Sequence, residues 1–186
     1  MLICWGISGS FCTVRRAIEQ MKTVINEGHE IIPVGSAVFL HTDTRFGRAQ
    51  DLKNEIESLC KRHLIGTIAE AEPVGPVMRP DLAVIAPASG TTLAKLAHGV
   101  YDTPVTLAAK ACQRTGTPLL LGAATNDALS GNFENIARLY TRKNIYFVPM
   151  RQDDPEKKPF SMVCDFNALP AAICAAAAGK QLAVWQ

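Results

Sequence analysis

Hydroxyl side chains and glycines recur where short apolar runs of this sequence end, a combination that suits the binding of an anion. The hydroxyl residues are Ser8, Ser10, Ser36, Ser89, Thr91, Thr92 and Thr125. Small residues allow backbone N–H groups to approach a ligand closely, and the N-terminus of a helix favours negative charge. These segments therefore predict a phosphate site. Each segment alone has a plainer explanation, because Ser and Thr also cap helices and glycines also form tight turns.

Two common nucleotide-binding patterns are absent from the sequence. It contains neither the G-x-x-x-x-G-K-[ST] pattern that cradles a triphosphate nor the G-x-G-x-x-G pattern of dinucleotide-binding folds. The segment Gly6-Ile7-Ser8-Gly9-Ser10 after the first apolar run is a weaker signal. We therefore expect the phosphate to belong neither to ATP nor to a dinucleotide on the first turn.

Candidate acids and bases are few, whereas cationic side chains are better placed. Of the four histidines only His41 falls in a segment expected at the site, and no Ser/His/Asp set or carboxylate pair can be identified, so catalytic residues are unassigned. Arg45 offers two-pronged binding of a carboxylate. Lys157 and Lys158 lie in a charged segment, for which a solvated flap is the alternative.

The six cysteines, at positions 4, 12, 60, 112, 164 and 174, have neither C-x-x-C spacing nor the Cys/His spacing of a zinc site. We therefore expect no metal, and free buried thiols in a reducing cytosol. Cys12 is expected near the start of the first helix, where a thiolate is favoured.

The elements that must position these residues alternate between apolar strands and amphipathic helices, which is typical of an α/β protein. We predict strands at 2–5, 30–34, 64–68, 82–86, 118–121 and 145–148. We predict helices around 18–25, 52–59, 93–100, 104–113 and 132–142, an Ala-rich helix at the end, and loops at 69–80 and 150–161. The expected fold is a three-layer, Rossmann-like open parallel sheet with helices on both faces. Ligands bind such sheets at the carboxyl ends of the strands, so segments 6–10, 36–46, 87–92 and 122–127 should meet there.

Length and charge limit the classes of protein to consider. The 186 residues, 48% apolar and 19% charged, predict a single domain over 1–186. A formal charge of +2 without any block of like charge favours neither nucleic acid nor an anionic membrane as a partner. The apolar run 171–178 falls short of the roughly 20 residues that span a bilayer, and the N-terminus lacks the features of a secretion signal. We expect a cytoplasmic protein.

The sequence resembles the homo-oligomeric flavin-containing Cys decarboxylases. Residues 86–99, APASGTTLAKLAHG, resemble that family's signature A-P-A-[ST]-A-N-T-[IL]-A-K-[IL]-A-x-G, and residues 2–10 resemble its opening strand and G-[IV]-[ST]-G-S loop. Stretches 41–47, 125–129 and 143–159 resemble one branch of the family more closely, in which the chain is one half of the enzyme that forms dipicolinate in sporulating bacteria. The similar motifs run from residue 6 to residue 162.

This resemblance implies a flavoprotein-type fold and a role as one component of an oxidoreductase. The reaction implied is oxidation of a dihydrodipicolinate-type ring to the aromatic pyridine dicarboxylate. NADP would be the acceptor, bound by the other component of the enzyme, its A subunit, which agrees with the missing G-x-G-x-x-G here. The resemblance also implies FMN as a cofactor, a homo-oligomer that is a trimer or a multiple of trimers, and the mother-cell cytoplasm as location.

The resemblance also assigns site residues. Gly9 and Ser10 would hold the FMN phosphate. The phosphate and ribityl contacts would continue through Ser36 and through the turn formed by Ala88, Ser89, Gly90, Thr91 and Thr92. Thr125 and Asn126 would lie beside the isoalloxazine. Arg45, with Lys157 or Lys158, would bind the carboxylates of the substrate.

Several positions depart from the family pattern. Thr91 stands where the decarboxylases have Asn, residues 123–126 read AATN in place of P-x-M-N, and no histidine occurs near Glu72-Pro73. Because a decarboxylase needs those side chains to hold and protonate its substrate, we do not transfer that activity. Two alternatives remain open, a stand-alone flavin-dependent decarboxylase and a non-catalytic structural component with an empty flavin site.

Overall fold

The computed structural model describes residues 1–183, and within them seven strands form one mixed sheet. The strands are β1 (Leu2–Ile7), β2 (Glu30–Gly35), β3 (Leu82–Ala88), β4 (Leu119–Thr125), β5 (Ile145–Phe147), β6 (Met150–Gln152) and β7 (Met162–Cys164). The first five run parallel in the order β2-β1-β3-β4-β5. The predicted parallel sheet is confirmed for these five, whereas the antiparallel pairing of β7 with β4 and of β6 with β7 was not predicted.

Helices cover both faces of the sheet, as the sequence predicted. In the described residues they are α1 (Phe11–Asn26), α2 (Ala37–His41), α3 (Ala49–Cys60), α4 (Ile68–Ala71), α5 (Gly90–His98), α6 (Pro104–Arg114), α7 (Phe133–Tyr140) and α8 (Leu169–Ala177). One layer contains α1, α3 and α8, and the other contains α5, α6 and α7. The helix predicted to include Val100 ends at His98, because Gly99 adopts a left-handed φ of +72°. No helix within 1–183 is long and apolar enough to cross a bilayer.

The central strands are apolar on both faces because helices cover both sides of the sheet. Every residue of β3 is buried, and in β4 only Thr125 is partly exposed. The largest fully buried side chains include Trp5 and Phe39. The Trp5 indole N–H donates a hydrogen bond of 2.8 Å to the carbonyl oxygen of Ala86, and this bond ties β1 to the carboxyl end of β3.

Strand β4 extends four residues beyond its predicted end, and this extension changes the carboxyl edge of the sheet. Its first half pairs with β5, while Ala124 and Thr125 pair with β7. Strand β3 pairs with one side of β4. Strands β5 and β7 therefore both pair with its other side, β5 with the first half of β4 and β7 with the second. The β6–β7 hairpin therefore reaches the edge where the site was expected. The predicted loop 150–161 is wrong at Met150–Gln152, which forms β6.

The predicted strand 64–68 is also wrong. Ile65 forms only an isolated bridge with Val34, and α4 begins at Ile68. A capping box starts this helix, because the Thr67 side chain accepts from the Glu70 N–H and the Glu70 carboxylate accepts from the Thr67 N–H. The predicted loop 69–80 accordingly contains α4 and a 3₁₀ turn at Glu72–Val74. The spacing T-x-x-E was the missed signal.

Candidate ligand-binding cleft

A cleft of about 440 Å³ opens at the carboxyl ends of β1, β3 and β4. Its lining consists of Gly9, Ser10, Phe11, Cys12, Arg45, Phe46, Ser89, Gly90, Ala124, Thr125, Asn126, Asp153, Lys158, Ser161 and Val163. All four segments expected at this edge contribute to it. In the strand order 2-1-3-4-5 the direction of winding reverses between β1 and β3, which is where open α/β sheets bind ligands. The volume lies within the roughly 300–1,000 Å³ of small-molecule sites.

A shallower depression, which we call the side lobe, adjoins this cleft. It shares Gly90, Thr125 and Asn126 with the cleft, so these three residues form a wall between the two spaces. The side lobe adds Thr91 and Ala94 from α5, and Asp127 and Asn132 from the segment between β4 and α7. The exposed Thr91 thus lies on the far side of the shared wall from the main cleft.

Two helices begin at the cleft, and both present the positive end of their dipoles to it. Helix α1 starts at Phe11, directly after Ser10, whose side chain makes no capping hydrogen bond. Within residues 1–183 the backbone N–H groups of Phe11 and Cys12 have no hydrogen-bond partner. Helix α5 starts at Gly90, after the N-cap residue Ser89. The cleft therefore offers hydroxyl and backbone N–H donors suited to an anion.

Several predicted site residues support the cleft without lining it. Ser36 is buried and caps α2, where its Oγ accepts a hydrogen bond of 3.2 Å from the Phe39 N–H. Thr92 is also buried, and its hydroxyl lies 3.1 Å from the Ser89 Oγ. Ala88 is enclosed at the end of β3. These side chains fix the turns that carry the lining residues and are not placed to contact a ligand in the cleft.

The cleft has two exposed cations. The Arg45 guanidinium carbon lies 4.8 Å from the centroid of the Phe46 ring, and no ion pair within residues 1–183 involves Arg45. Lys158 forms an ion pair of 2.5 Å with Asp153, and this hydrogen bond raises the pKa of the lysine. The neighbouring Lys157 is exposed outside the cleft.

Histidine is missing from both parts of the site within residues 1–183. His41 is exposed at the C-terminal end of α2 and lines neither the cleft nor the side lobe. The described residues also contain no group of three or more His, Cys, Asp or Glu side chains arranged to hold a metal ion.

The wall between the cleft and the side lobe contains a polar contact that the sequence did not reveal. Asp127 was not predicted as a site residue, yet it accepts hydrogen bonds from Thr125 Oγ1 at 2.5 Å and from Asn132 Nδ2 at 2.7 Å. On the cleft side, the Ser161 hydroxyl donates to Asn126 Oδ1 at 3.4 Å. Because Ser161 belongs to the hairpin between β6 and β7, its place could not be read from local sequence.

The thiols divide into exposed and buried groups. Cys12 lies at the start of α1, as predicted, and it is exposed in the cleft. Cys174 is also exposed, on the solvent side of α8 and away from the cleft, so the expectation of a buried thiol is wrong at this position. Burial raises the pKa of Cys60 to about 12 and that of Cys164 to about 12. Hydrogen bonding with Cys112 and burial raise the pKa of Cys4.

Comparison with known proteins shows that the chain belongs to the flavoproteins. Residues 1–175 match the family model described as Flavoprotein. The chain is 43% identical over 180 residues to the B subunit of dipicolinate synthase from Bacillus subtilis, a match that covers 97% of this chain and 90% of that protein.

Solved structures show similar folds. The crystal structure of the dipicolinate synthase B subunit from Bacillus halodurans C superposes with a TM-score of 0.91 and 38% identity, covering 100% of this chain and 95% of that one. The FMN-dependent cysteine decarboxylase SpaF gives a TM-score of 0.70 at 21% identity, covering 95% of this chain and 97% of the other. At that identity the likeness concerns the fold alone.

Proposed function

The chain belongs to the flavoprotein family, and from this premise we propose that it binds FMN in the cleft and acts as the B subunit of a dipicolinate synthase. The observation that carries this proposal is the meeting of two turns, Gly9-Ser10 and Ser89-Gly90, where the winding of the sheet reverses. The 43% identity to the B subunit of a dipicolinate synthase supports the choice of reaction.

The residues of the cleft fit the phosphate of FMN. The Ser10 hydroxyl and the N–H groups of Phe11 and Cys12 are donors at a helix N-terminus, and Ser89 and Gly90 approach from the start of α5. Thr125 and Asn126 would lie beside the ring system. Ser36 and Thr92 would act indirectly by fixing α2 and the Ser89 turn. When bound, FMN would supply a ring system that can accept and donate an electron pair.

The exposed cations would hold the carboxylates of the substrate. Arg45 lies against the Phe46 ring and presents a planar fork that matches a carboxylate. Lys158 reaches the cleft, so we assign the second carboxylate contact to Lys158 and not to Lys157. The Asp153 carboxylate orients Lys158 until a ligand carboxylate competes for it.

The reaction proposed needs a second protein chain. Oxidation of the dihydropyridine ring to the aromatic dicarboxylate removes a hydride and a proton; NADP on the A subunit of the synthase would accept the hydride and become NADPH, and the proton would be released to solvent. The sequence of the present chain has no G-x-G-x-x-G pattern of its own for that nucleotide. We further propose, on the family resemblance, a homo-oligomer built from trimers in the mother-cell cytoplasm of a sporulating bacterium.

The proposal can be tested in two steps. First, FMN is titrated into the purified chain while flavin fluorescence is followed. Quenching that saturates at one FMN per chain is expected, and a chain that leaves the fluorescence unchanged would contradict the cofactor. Second, the chain is mixed with an NADP-binding A subunit, and dipicolinate and NADPH formation are measured. Equal activity with and without this chain would contradict its assignment to the synthase.

The two alternatives predict different results. A stand-alone decarboxylase would release CO₂ from a peptidyl-cysteine substrate, but no histidine lines the cleft within the described residues. If the chain were a structural component with an empty flavin site, a bulky side chain placed in the cleft would leave the activity of the complex unchanged. Cys12→Trp places a bulky ring at an exposed position of the cleft, and Cys174→Trp is the matched control outside it. Loss of activity in the first variant only would exclude the structural role.

A further inference from the structure

A connected set of polar side chains, here called the Asp127 cluster, supports the wall between the cleft and the side lobe. Asp127 accepts from Thr125 Oγ1 at 2.5 Å and from Asn132 Nδ2 at 2.7 Å. The cluster continues to α7, where Asn135 Nδ2 donates to Asn132 Oδ1 at 2.9 Å. Thr125 is the member that lines both the cleft and the side lobe, so the cluster reaches the cleft through Thr125.

The cluster determines which way the Thr125 hydroxyl points. The Thr125 hydroxyl donates its single proton to Asp127 Oδ1, while Asp127 Oδ2 accepts from the Asn132 amide. The orientation of the Asn132 amide is consistent with this arrangement, because its oxygen accepts from Asn135 and its nitrogen donates to Asp127. Toward the cleft, the Thr125 oxygen is then left with lone pairs alone. It can accept a hydrogen bond from a ligand but cannot donate one.

Gly90 gives independent support, because its backbone lies directly against the cluster. A Cβ atom at this position would lie 2.5 Å from Thr125 Oγ1, 2.6 Å from Asn132 Nδ2 and 3.0 Å from Asp127 Oδ1. The family signature has Ala at this place, and the Asp127 cluster leaves no room for it. The Asp127 cluster can therefore form in this position only because residue 90 has no side chain.

We propose that Asp127 is a positioning residue that makes Thr125 an acceptor for a ring N–H of the bound ligand. This inference rests on the proposed function, which supplies FMN as the ligand. The oxidised isoalloxazine has one ring N–H, and a cleft that presents a fixed acceptor to it selects this ring over one in which that nitrogen is substituted. Thr125 would contact the ring N–H directly, and Asp127 would act only by orienting the Thr125 hydroxyl.

The test compares two probes, FMN and FMN methylated at the ring N–H. Dissociation constants are measured by fluorescence quenching on the full chain. Loss of one buried hydrogen bond corresponds to about a tenfold change in affinity, so the unaltered chain is expected to prefer FMN by about tenfold. Asp127→Asn keeps the shape of the side chain but allows an amide N–H to face Thr125, which turns the hydroxyl proton toward the cleft. This variant should bind both flavins equally, by losing affinity for FMN only.

Two further variants separate this role from a structural one. Thr125→Val should also abolish the preference, whereas Thr125→Ser should retain it, and this pair decides the question if Asp127→Asn does not fold. Ser130→Ala is the matched control, since the exposed Ser130 hydroxyl in the same turn contacts only the backbone carbonyl of Asp127, at 3.3 Å. It should keep the full preference for FMN.

The possible failures are distinguishable. If the unaltered chain binds no FMN, the proposed function fails and this inference fails with it. If the chain binds both flavins with the same affinity, only the inference is overturned. A parallel loss of affinity for both flavins in Asp127→Asn or Thr125→Val would show that the cluster merely maintains the turn, which also overturns it.

Discussion

The backbone N–H of Ser89 donates a hydrogen bond of 2.8 Å to the hydroxyl of Ser8, across 81 residues of chain. The same hydroxyl donates to the carbonyl oxygen of Pro87 at 2.7 Å. Ser8 is buried and lies between β1 and the start of α1, while Ser89 caps α5. This contact holds together the two turns from which a phosphate would be bound.

Replacement of Ser8 by Ala should weaken both the fold and the cleft. It leaves the partly buried Ser89 N–H without its partner, so we expect a loss of about 1 kcal/mol in the free energy of unfolding, the low end of the cost of an unsatisfied group. We expect that loss in urea denaturation and a weaker affinity for FMN. Ser58→Ala, on the exposed surface of α3, is the control and should change neither quantity. A Ser8→Ala chain as stable as the original would contradict the role of this contact.

Arg45 should bind a carboxylate of the substrate, whereas Arg48 should not. Arg45 lines the cleft, while Arg48 is paired with Asp51 outside it. Charged hydrogen bonds contribute about 1.5–3 kcal/mol, so Arg45→Ala should weaken binding of pyridine-2,6-dicarboxylate by about 10- to 100-fold. Arg45→Lys should recover only part of the affinity, because lysine lacks the planar fork. Calorimetric titration measures both effects, and an equal loss in Arg48→Ala would refute the assignment.

The adjacent lysines should differ in the same assay. Lys158→Met should weaken dicarboxylate binding, and Lys157→Met should leave it unchanged, because only Lys158 lines the cleft. The hydrogen bond with Asp153 raises the pKa of Lys158 above its ordinary 10.5, so the ammonium group stays charged as the solution becomes mildly alkaline. Binding should therefore be nearly constant between about pH 7 and pH 9. A marked fall in affinity over that interval would argue against Lys158 as the anion contact.

Glu70 should stabilise the protein only while its carboxylate is ionised. The N–H of Gly66 and the hydroxyl of Thr67 hold the pKa of Glu70 below its ordinary value of 4.5. A lowered folded pKa means that the stabilisation is present above the ordinary pKa and is lost as the pH falls through the folded value. Glu70→Gln should cost about 0.5–1 kcal/mol near neutral pH, and this cost should shrink as the pH falls below the ordinary pKa of 4.5.

Denaturant unfolding of this variant across that pH range provides the measurement. Glu19→Gln is a suitable control, because Glu19 is exposed on α1 and forms no ion pair within the described residues. A stability difference for Glu70→Gln that stays constant with pH would show that the charge of Glu70 is not what stabilises the turn.

FMN should protect Cys12 from a thiol reagent and leave Cys174 reactive. Both thiols are exposed, but only Cys12 lines the cleft. Burial raises the pKa of Cys60 and of Cys164 to about 12, so these thiols should react slowly near pH 8. Mass spectrometry after brief alkylation measures each site, with Cys174 as the internal control. If saturating FMN leaves the labelling of Cys12 unchanged, the flavin does not occupy this cleft.

Local patterns in the chain are enough to specify the layers of the fold and the edge at which the site lies. Apolar strands followed by amphipathic helices specify a parallel sheet, and the ends of β1, β2 and β3 are visible as breaks at Gly9, Ser36 and Ser89, whereas the break at Gly122 falls inside β4. Because parallel strands present their carboxyl ends at one edge, the meeting of these segments follows from the topology.

The exact composition of the cleft depends on contacts made in three dimensions. Strands β6 and β7 are three residues long, too short to leave a periodic pattern, and they form because β4 continues to Thr125 and offers its edge to β7. This pairing brings Lys158 to the cleft but leaves Lys157 outside, a distinction that two adjacent lysines cannot reveal in sequence. The role of Asp127 depends likewise on the space left by Gly90, 37 residues earlier in the chain. Hydrophobic periodicity is a local property of the chain, whereas such contacts arise only when distant segments pack together.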